Sequence, residues 1–328
     1  MSEATVINES CQCTAWSGGA SFYTTMDTFA KLQAQLDAWA QFTLADLADL
    51  KSGASSISIL PATVFQNGVL TLHYSLNGKD GLTYGWARHY GMTGDGPAPT
   101  VNFGATGKSA LIIPGSGLNQ ADQIITYNSG YQNTMYNPVC TIGDGFVHIL
   151  PGSDFRLLAG TNGKGYLRES IARYLLNAGS GLALLEIIEA CAILTWLKAN
   201  YTKTAVLGIS DSAYHAAIVG IIGAPDAVVA ASGFSLSTKA QGFGLAGDNA
   251  IPGIYNIFDE ADFASGINGA ATKYRFSQSS TAEIAVMLEE SGTGYTAGVL
   301  TGANVTHVTH SAGHVYDIGM GAWLVANL

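Results

Sequence analysis

Hydrophobic positions fall into three successive regimes along the chain. Over residues 24–50, Phe29, Leu32, Leu36, Trp39, Leu44 and Leu47 recur at spacings of three to five, close to one helical face. This predicts a helix packed on the rest of the protein; the alternative is an interaction surface, which leaves a homo-oligomer open. From residue 55 to 88 the period shortens. Ile57, Ile59, the run Val69-Leu70-Thr71-Leu72-His73-Tyr74 and a segment over 82–86 are separated by Asn67-Gly68 and Asn77-Gly78. Asn-Gly marks tight hairpin turns because both residues tolerate positive φ, so an antiparallel meander is expected. A loop rich in Gly, Pro and Asn follows over 91–107.

From residue 109 onward, unbroken apolar runs alternate with helical stretches. Ala110-Leu111-Ile112-Ile113 ends in Pro-Gly-Ser-Gly, and residues 146–150 end in Pro-Gly-Ser-Asp. A long helix over roughly 170–199 leads to Ala205-Val206-Leu207; further runs lie at 227–231, 273–277 and 305–309, with a closing helix over 317–328. Apolar runs that do not alternate with polar residues suit strands buried on both faces. The fold class is therefore α/β, a mostly parallel twisted sheet with helices on both faces. No internal repeat is evident. The expected organisation is an N-terminal extension over 1–54 and one domain over 55–328, with a Gly-rich insert over 235–271 placed as a lid or substrate loop would be.

Composition narrows the class. Hydrophobic residues make up 48% of 328, enough for a sizeable core, and charged residues only 12%, about half the globular average of roughly 25%. Disordered chains have the opposite balance. The net charge of −10, with no Lys/Arg-rich cluster, disfavours a nucleic-acid partner, because phosphate binding needs a positive footprint. The longest apolar stretch, 182–197, is interrupted by Glu186 and Glu189, so no membrane span is expected. The opening Met-Ser-Glu-Ala-Thr-Val shows no signal peptide, although a mature chain would look the same. The compartment stays open between cytoplasm and a surface or virion-associated setting. The cysteines, Cys11, Cys13, Cys140 and Cys191, are too few for a disulfide framework. Cys11 and Cys13 lack a second ligand pair for zinc, and Cys191 falls in a helix pattern, in the core.

The candidate chemistry centres on Val206-Leu207-Gly208-Ile209-Ser210-Asp211-Ser212-Ala213, which reads as a buried strand, a serine in a tight turn, and a helix of small residues. A turn that presents a nucleophilic serine needs small residues two before and two after it; these are Gly208 and Ser212. Ala213, Ala216 and Ala217 would let the helix pass close to the strand. The alternative is a serine that caps an ordinary helix. His314, in Ser-Ala-Gly-His after the last expected strand, is placed to act as the base from the carboxyl edge of the sheet. The acid that orients it should follow the strand Tyr274-Arg275-Phe276-Ser277. Glu283 is the first carboxylate there; Asp262, Asp259 and Glu260 precede that strand and are weaker candidates. Glu283 has an alternative role as a first-turn residue that complements a helix dipole. Two backbone N–H groups must face the developing oxyanion. One should come from Asp211; the other should come from Pro114-Gly115-Ser116-Gly117, with Ser116 the leading donor.

This set resembles the α/β-hydrolase family over roughly residues 55–328, on Gly208-Ile209-Ser210-Asp211-Ser212, Pro114-Gly115-Ser116-Gly117 and Gly313-His314. The resemblance implies a mostly parallel sheet of about eight strands and hydrolysis through an acyl-enzyme with no cofactor. Two positions depart from the family pattern. Pro114 stands where many members have a histidine before the oxyanion glycine, and Ser212 replaces the last glycine of the serine turn. A carboxylic ester is the expected substrate. Asn119, Gln120 and the Asn and Tyr residues over 127–136 point toward an acylated carbohydrate or another small ester. The competing classes are a thioesterase or peptidase on the same fold, and a non-catalytic surface or binding protein that kept it.

Other motifs carry less. His307, His310 and His314 lie within eight residues, but His307 and His310 on a strand would face opposite ways, and no carboxylate pattern supports zinc. Gly104-Ala-Thr-Gly-Lys108-Ser109 has Asn102 where a phosphate loop needs its first glycine, and it precedes a strand. His215 is expected to be a packing residue. Asn200-Tyr-Thr202 and Asn304-Val-Thr306 match glycosylation sequons.

Overall fold

A computed structural model describes residues 29–66, 69–88, 106–115, 136–151, 164–234, 236, 251–279, 295–311, 313 and 317–328. The expected N-terminal helix is two helices, α1 (Phe29–Ala40) and α2 (Leu44–Ser52). The break is local chemistry. Thr43 is extended, and its amide donates to the Asp46 carboxylate at 2.7 Å in a capping box that starts α2 afresh. Gly53, at φ 72°, ends it.

The meander follows as β1 (Ser58–Ile59), β2 (Val64–Gln66), β3 (Val69–Leu76) and β4 (Lys79–Arg88). Asn77 and Gly78 both take positive φ, 53° and 74°, between β3 and β4, as the Asn-Gly hairpin requires. Asn67-Gly68 lies outside the described residues.

The α/β part contains β5 (Lys108–Ile113), α3 (Asn137–Cys140), β6 (Asp144–His148), α4 (Lys164–Asn177), α5 (Leu182–Asn200), β7 (Lys203–Ile209) and α6 (Asp211–Gly223). It continues with β8 (Ala227–Ala231), a 3-10 turn (Ile254–Asn256), α7 (Glu260–Ile267), β9 (Lys273–Ser279), α8 (Tyr295–Val299), β10 (Val305–His310) and α9 (Met320–Asn327). The single helix expected over 170–199 is likewise two, bent by 92°. Gly179, at φ 81°, terminates the first.

Among the described residues, ten strands form one sheet in the order β1-β3-β4-β6-β5-β7-β8-β9-β10, with β2 also pairing with β3. That exceeds the eight expected, the difference being the short β1 and β2. Strands β5 to β10 run parallel to one another, whereas β1 to β4 pair antiparallel and β4 joins β6 antiparallel. The parallel character is thus confined to one part of the sheet.

Alternation along the strands feeds two cores. On β7, Val206 enters one, with α1, α2, α5 and α6; Ala205, Leu207 and Ile209 enter the other, with Met320 and Leu324 of α9. Fourteen of the nineteen residues of α5 are buried, so it is a central helix covered on nearly all sides. Among the described residues, no single helix is long and apolar enough to cross a membrane. Cys191 of α5 is buried, which pushes its thiol up to about 12.

Candidate active site

The topology chooses the edge before any side chain is considered. From β5 the chain moves to β6 on one side, then returns to β7 on the other. At such a switch point the loops leave the carboxyl ends of adjacent strands in opposite directions and open a crevice. Among the described residues, those that follow the two strands at this switch point are Pro114 and Gly115 after β5 and Ser210 after β7; the strands are in register up to Ile113 and Gly208.

Ser210 joins β7 to α6 with φ 59° and ψ −133°. For a residue with a Cβ this region costs on the order of 1–3 kcal/mol and persists only where the surroundings enforce it. Several contacts enforce it. The Ser210 amide donates to the Ala231 carbonyl at 2.9 Å, and the Ala213 amide donates to the Ser210 carbonyl at 2.9 Å. A Cβ on Gly208 would lie 1.9 Å from the Ser212 carbonyl oxygen and 2.8 Å from the Ala216 Cβ, so the strand-to-helix approach tolerates only glycine there. Ala213, Ala216 and Ala217 are fully buried behind the turn. Ser210 and Asp211 remain partly exposed. Asp211 opens α6, where backbone N–H groups lack helical partners and face outward.

Two features of this site were not anticipated. A Cβ on Gly233 would lie 2.0 Å from the Ser210 carbonyl oxygen, so the exit from β8 passes directly against the serine turn. Ser232 before it has φ 52° and donates its amide to Ser277 of β9 at 2.8 Å. The Ser-Gly pair at the end of an apolar run was the available signal. The two departures from the family pattern also meet: the buried Ser212 hydroxyl donates to the Pro114 carbonyl at 2.5 Å.

Of the expected site residues, Ser210 and Asp211 lie at the carboxyl end of β7, beside the switch point. Ser116, Glu283 and His314 lie outside the described residues, as do Gly117, Asn119, Gln120 and the segment 127–135. Their flanks are described. Ser279 ends β9 four residues before Glu283, and His310 ends β10 four residues before His314. Both strands run parallel to β7 through the sheet, so they end at the edge that carries Ser210. Beyond His314, Arg275 of β9 grips the buried Asp317 through Nε at 3.0 Å and through a second guanidinium nitrogen, and the Gly319 amide donates to the same carboxylate. Burial holds the His310 imidazole below its ordinary value, against the opposing pull of Asp317.

The other carboxylates have structural duties. Asp259 caps α7 by accepting from the Asp262 amide at 2.8 Å, and Asp262 answers by accepting from the Asp259 amide at 3.1 Å. Asp262 also pairs with Lys51 of α2. Burial alone would raise the Asp262 carboxyl, but the Lys51 and Asp259 hydrogen bonds outweigh it and leave it below its ordinary range. Glu260 lies in the exposed first turn of the same helix. His307 approaches the Leu300 carbonyl through Nε2 at 2.8 Å and stacks on Phe276. The sequon residue Asn304 is buried, with its amide donating to Ile267 and Thr272 carbonyls, a geometry that excludes a glycan in the folded chain. His215 is buried on α6, 3.5 Å from Glu186, as a packing residue should be.

The parallel sheet with its switch point between β5 and β7, its antiparallel leading strands and its serine in a strained strand-to-helix turn make this an α/β-hydrolase fold. Among solved structures the chain is similar to an alpha-beta serine hydrolase homologue from Coxiella burnetii, at 14% identity and a TM-score of 0.43, covering 76% of this chain and 92% of that one. It is similar to a carbohydrate esterase family 15 glucuronoyl esterase from Caldicellulosiruptor kristjansonii, at 13% identity and a TM-score of 0.49, covering 92% and 86%. A third is acetyl xylan esterase 1 from Thermoanaerobacterium, at 12% identity and a TM-score of 0.39, covering 89% and 92%. No protein-family model and no curated protein matches the sequence.

Proposed function

We propose that the chain is a serine-dependent hydrolase of carboxylic esters, with Ser210 as nucleophile. The observation that carries this is the positive φ of Ser210 at the carboxyl edge of β7: strain of this kind has a reason to persist where it holds a hydroxyl out over a crevice. His314 takes the hydroxyl proton as Oγ bonds to the ester carbonyl carbon. The resulting oxyanion is met by the N–H groups of Asp211 and Ser116. Collapse breaks the bond to the leaving alkoxide, which receives the proton from His314 and departs as the alcohol. Water, deprotonated by His314, then attacks the acyl-enzyme; the Ser210 Oγ–acyl bond breaks, the proton returns to Ser210, and the acid leaves.

Glu283 is assigned the role of orienting His314. This assignment is supported by the engagement of Asp259 and Asp262 in capping α7. The proposed substrate is an acylated carbohydrate or a small ester, on the polar content of Asn119, Gln120 and residues 127–136. A fluorophosphonate probe tests the nucleophile: wild-type protein takes one label at Ser210 and Ser210→Ala takes none. Folded wild-type protein that takes no label returns the chain to the non-catalytic class. Glu283→Gln should lower kcat strongly and Asp262→Asn should not; the reverse result reassigns the acid.

A further inference from the structure

Ser212 stands where the family pattern has glycine, and its side chain is 1% exposed on the first turn of α6. Its hydroxyl reaches across the switch point to the carbonyl of Pro114, 98 residues earlier in sequence, at 2.5 Å. Pro114 is itself buried directly after β5. Proline has no N–H, so the β5–β7 ladder stops there and this carbonyl leaves the sheet. In a planar trans peptide the carbonyl and the following N–H point in opposite directions. Fixing the Pro114 oxygen therefore fixes the direction of the Gly115 N–H and the orientation of the peptide that opens the loop. A glycine at 212 would have no side chain with which to do this.

We infer that Ser212 is a positioning residue: its hydroxyl locks the Pro114–Gly115 peptide to the first turn of α6, so that the end of β5 and the serine turn hold one relative geometry during acyl transfer. This rests on the assignment of Ser210 as nucleophile. The proposed second oxyanion donor, Ser116, is two residues beyond Pro114. Misplacement of a contributing group by about 1 Å can cost on the order of 100-fold in rate, and an oxyanion donor acts in the transition state more than in substrate binding.

The test is steady-state hydrolysis of p-nitrophenyl acetate by wild type, Ser212→Ala and Ser210→Ala. Wild-type and Ser212→Ala rates are normalised to the end-point fraction labelled by fluorophosphonate, Ser210→Ala supplies the background rate, and melting temperatures are recorded beside them. Ser212→Ala should lose about 10-fold to 100-fold in kcat with KM within about 3-fold of wild type. A normalised kcat within about 2-fold of wild type overturns the inference. If Ser212→Ala does not fold, Ser212→Cys keeps a side chain there with a weaker donor and should show the same split at smaller size; unfolding of both assigns the hydroxyl to stability alone and also overturns it. The two failures are separable. Wild type that neither labels nor turns over sinks the Ser210 assignment, whereas labelled, active wild type with an equally active Ser212→Ala sinks only the role of Ser212.

Discussion

Two places in this molecule invite comparison as hydroxyl sites. One is the core triple Thr83, His148 and Glu189, contributed by β4, β6 and α5. All three are buried to within 1% of complete, and all three touch: Thr83 Oγ1 donates to Glu189 Oε2 at 3.0 Å, His148 Nε2 lies 3.0 Å from the same oxygen, and the hydroxyl lies 3.2 Å from that nitrogen. The other is Ser210, partly exposed at the sheet edge with a strained backbone. The core triple has the residue types of a nucleophile, base and acid, yet its hydroxyl proton goes to the carboxylate. No substrate can reach it, and none of its members has a positive φ. It is a buried polar cluster in which Glu189 Oε2, His148 Nε2 and the Thr83 hydroxyl meet one another, and its contacts join α5 to the sheet. The two sites thus differ in burial and backbone strain: the core triple is enclosed and unstrained, whereas Ser210 is partly exposed at a sheet edge with a positive φ.

The largest test of that contrast is a matched pair of hydroxyl deletions. Ser210→Ala should lower ester turnover by about 10⁴-fold or more while leaving the melting temperature nearly unchanged. Thr83→Val keeps the shape and removes a buried hydroxyl. It should leave normalised kcat within about 3-fold and cost about 1–3 kcal/mol of stability in urea unfolding, because partners lose a buried hydrogen bond. Comparable losses of turnover in both variants would abolish the distinction between the two sites.

Next in size is the carboxylate itself. Glu189→Leu removes the acceptor that serves both Thr83 and His148. Leaving a buried donor without its acceptor typically costs about 1–3 kcal/mol, and here two partners lose theirs at once. Urea unfolding should show that loss, with kcat per labelled serine unchanged. A neutral or stabilised variant would mean that apolar packing replaces the cluster fully, and that the cluster is not what fixes α5.

What the sequence disclosed follows the range of each interaction. The serine turn was legible because its requirements lie within eight residues: an apolar strand, Gly208, and the alanines of α6. The Asn77-Gly78 hairpin was legible for the same reason. The breaks at Thr43 and Gly179 were written locally, as a capping box and a left-handed glycine. The apolar spacing runs on through both, with Leu44 and Leu47 holding the face set by Leu36 and Trp39, so periodicity alone joined the helices. Strands β1 and β2, two and three residues long, are too short for any period to register. Distant pairings left no local trace. Glu186 and Glu189 registered only as interruptions of an apolar run, because His215 and His148 are far away in sequence. At Gly233 the Ser-Gly pair after an apolar run is only a weak local signal, because the carbonyl that excludes a side chain belongs to the distant Ser210. The meeting of Ser212 with Pro114 needed β5 and β7 to be neighbours, which the pattern of strands alone does not dictate.

The smallest effect separates the two sites by sign. At Ser210 the backbone cost of positive φ is on the order of 1–3 kcal/mol for any residue with a Cβ, and glycine removes it. Glycine also adds freedom to the unfolded chain, at a cost of roughly 0.5–1 kcal/mol relative to alanine. The first quantity exceeds the second, so Ser210→Gly should be more stable than Ser210→Ala by about 1 kcal/mol, with both inactive. At Thr83, in the middle of the extended β4, there is no strain to relieve. Glycine there has only the entropic cost and the lost packing, so Thr83→Gly should be less stable than Thr83→Ala. Urea unfolding of the four variants reads both differences. If glycine is unfavourable at both positions, the backbone at Ser210 is not under strain in solution, and the feature that sets the serine turn apart from the core triple is lost.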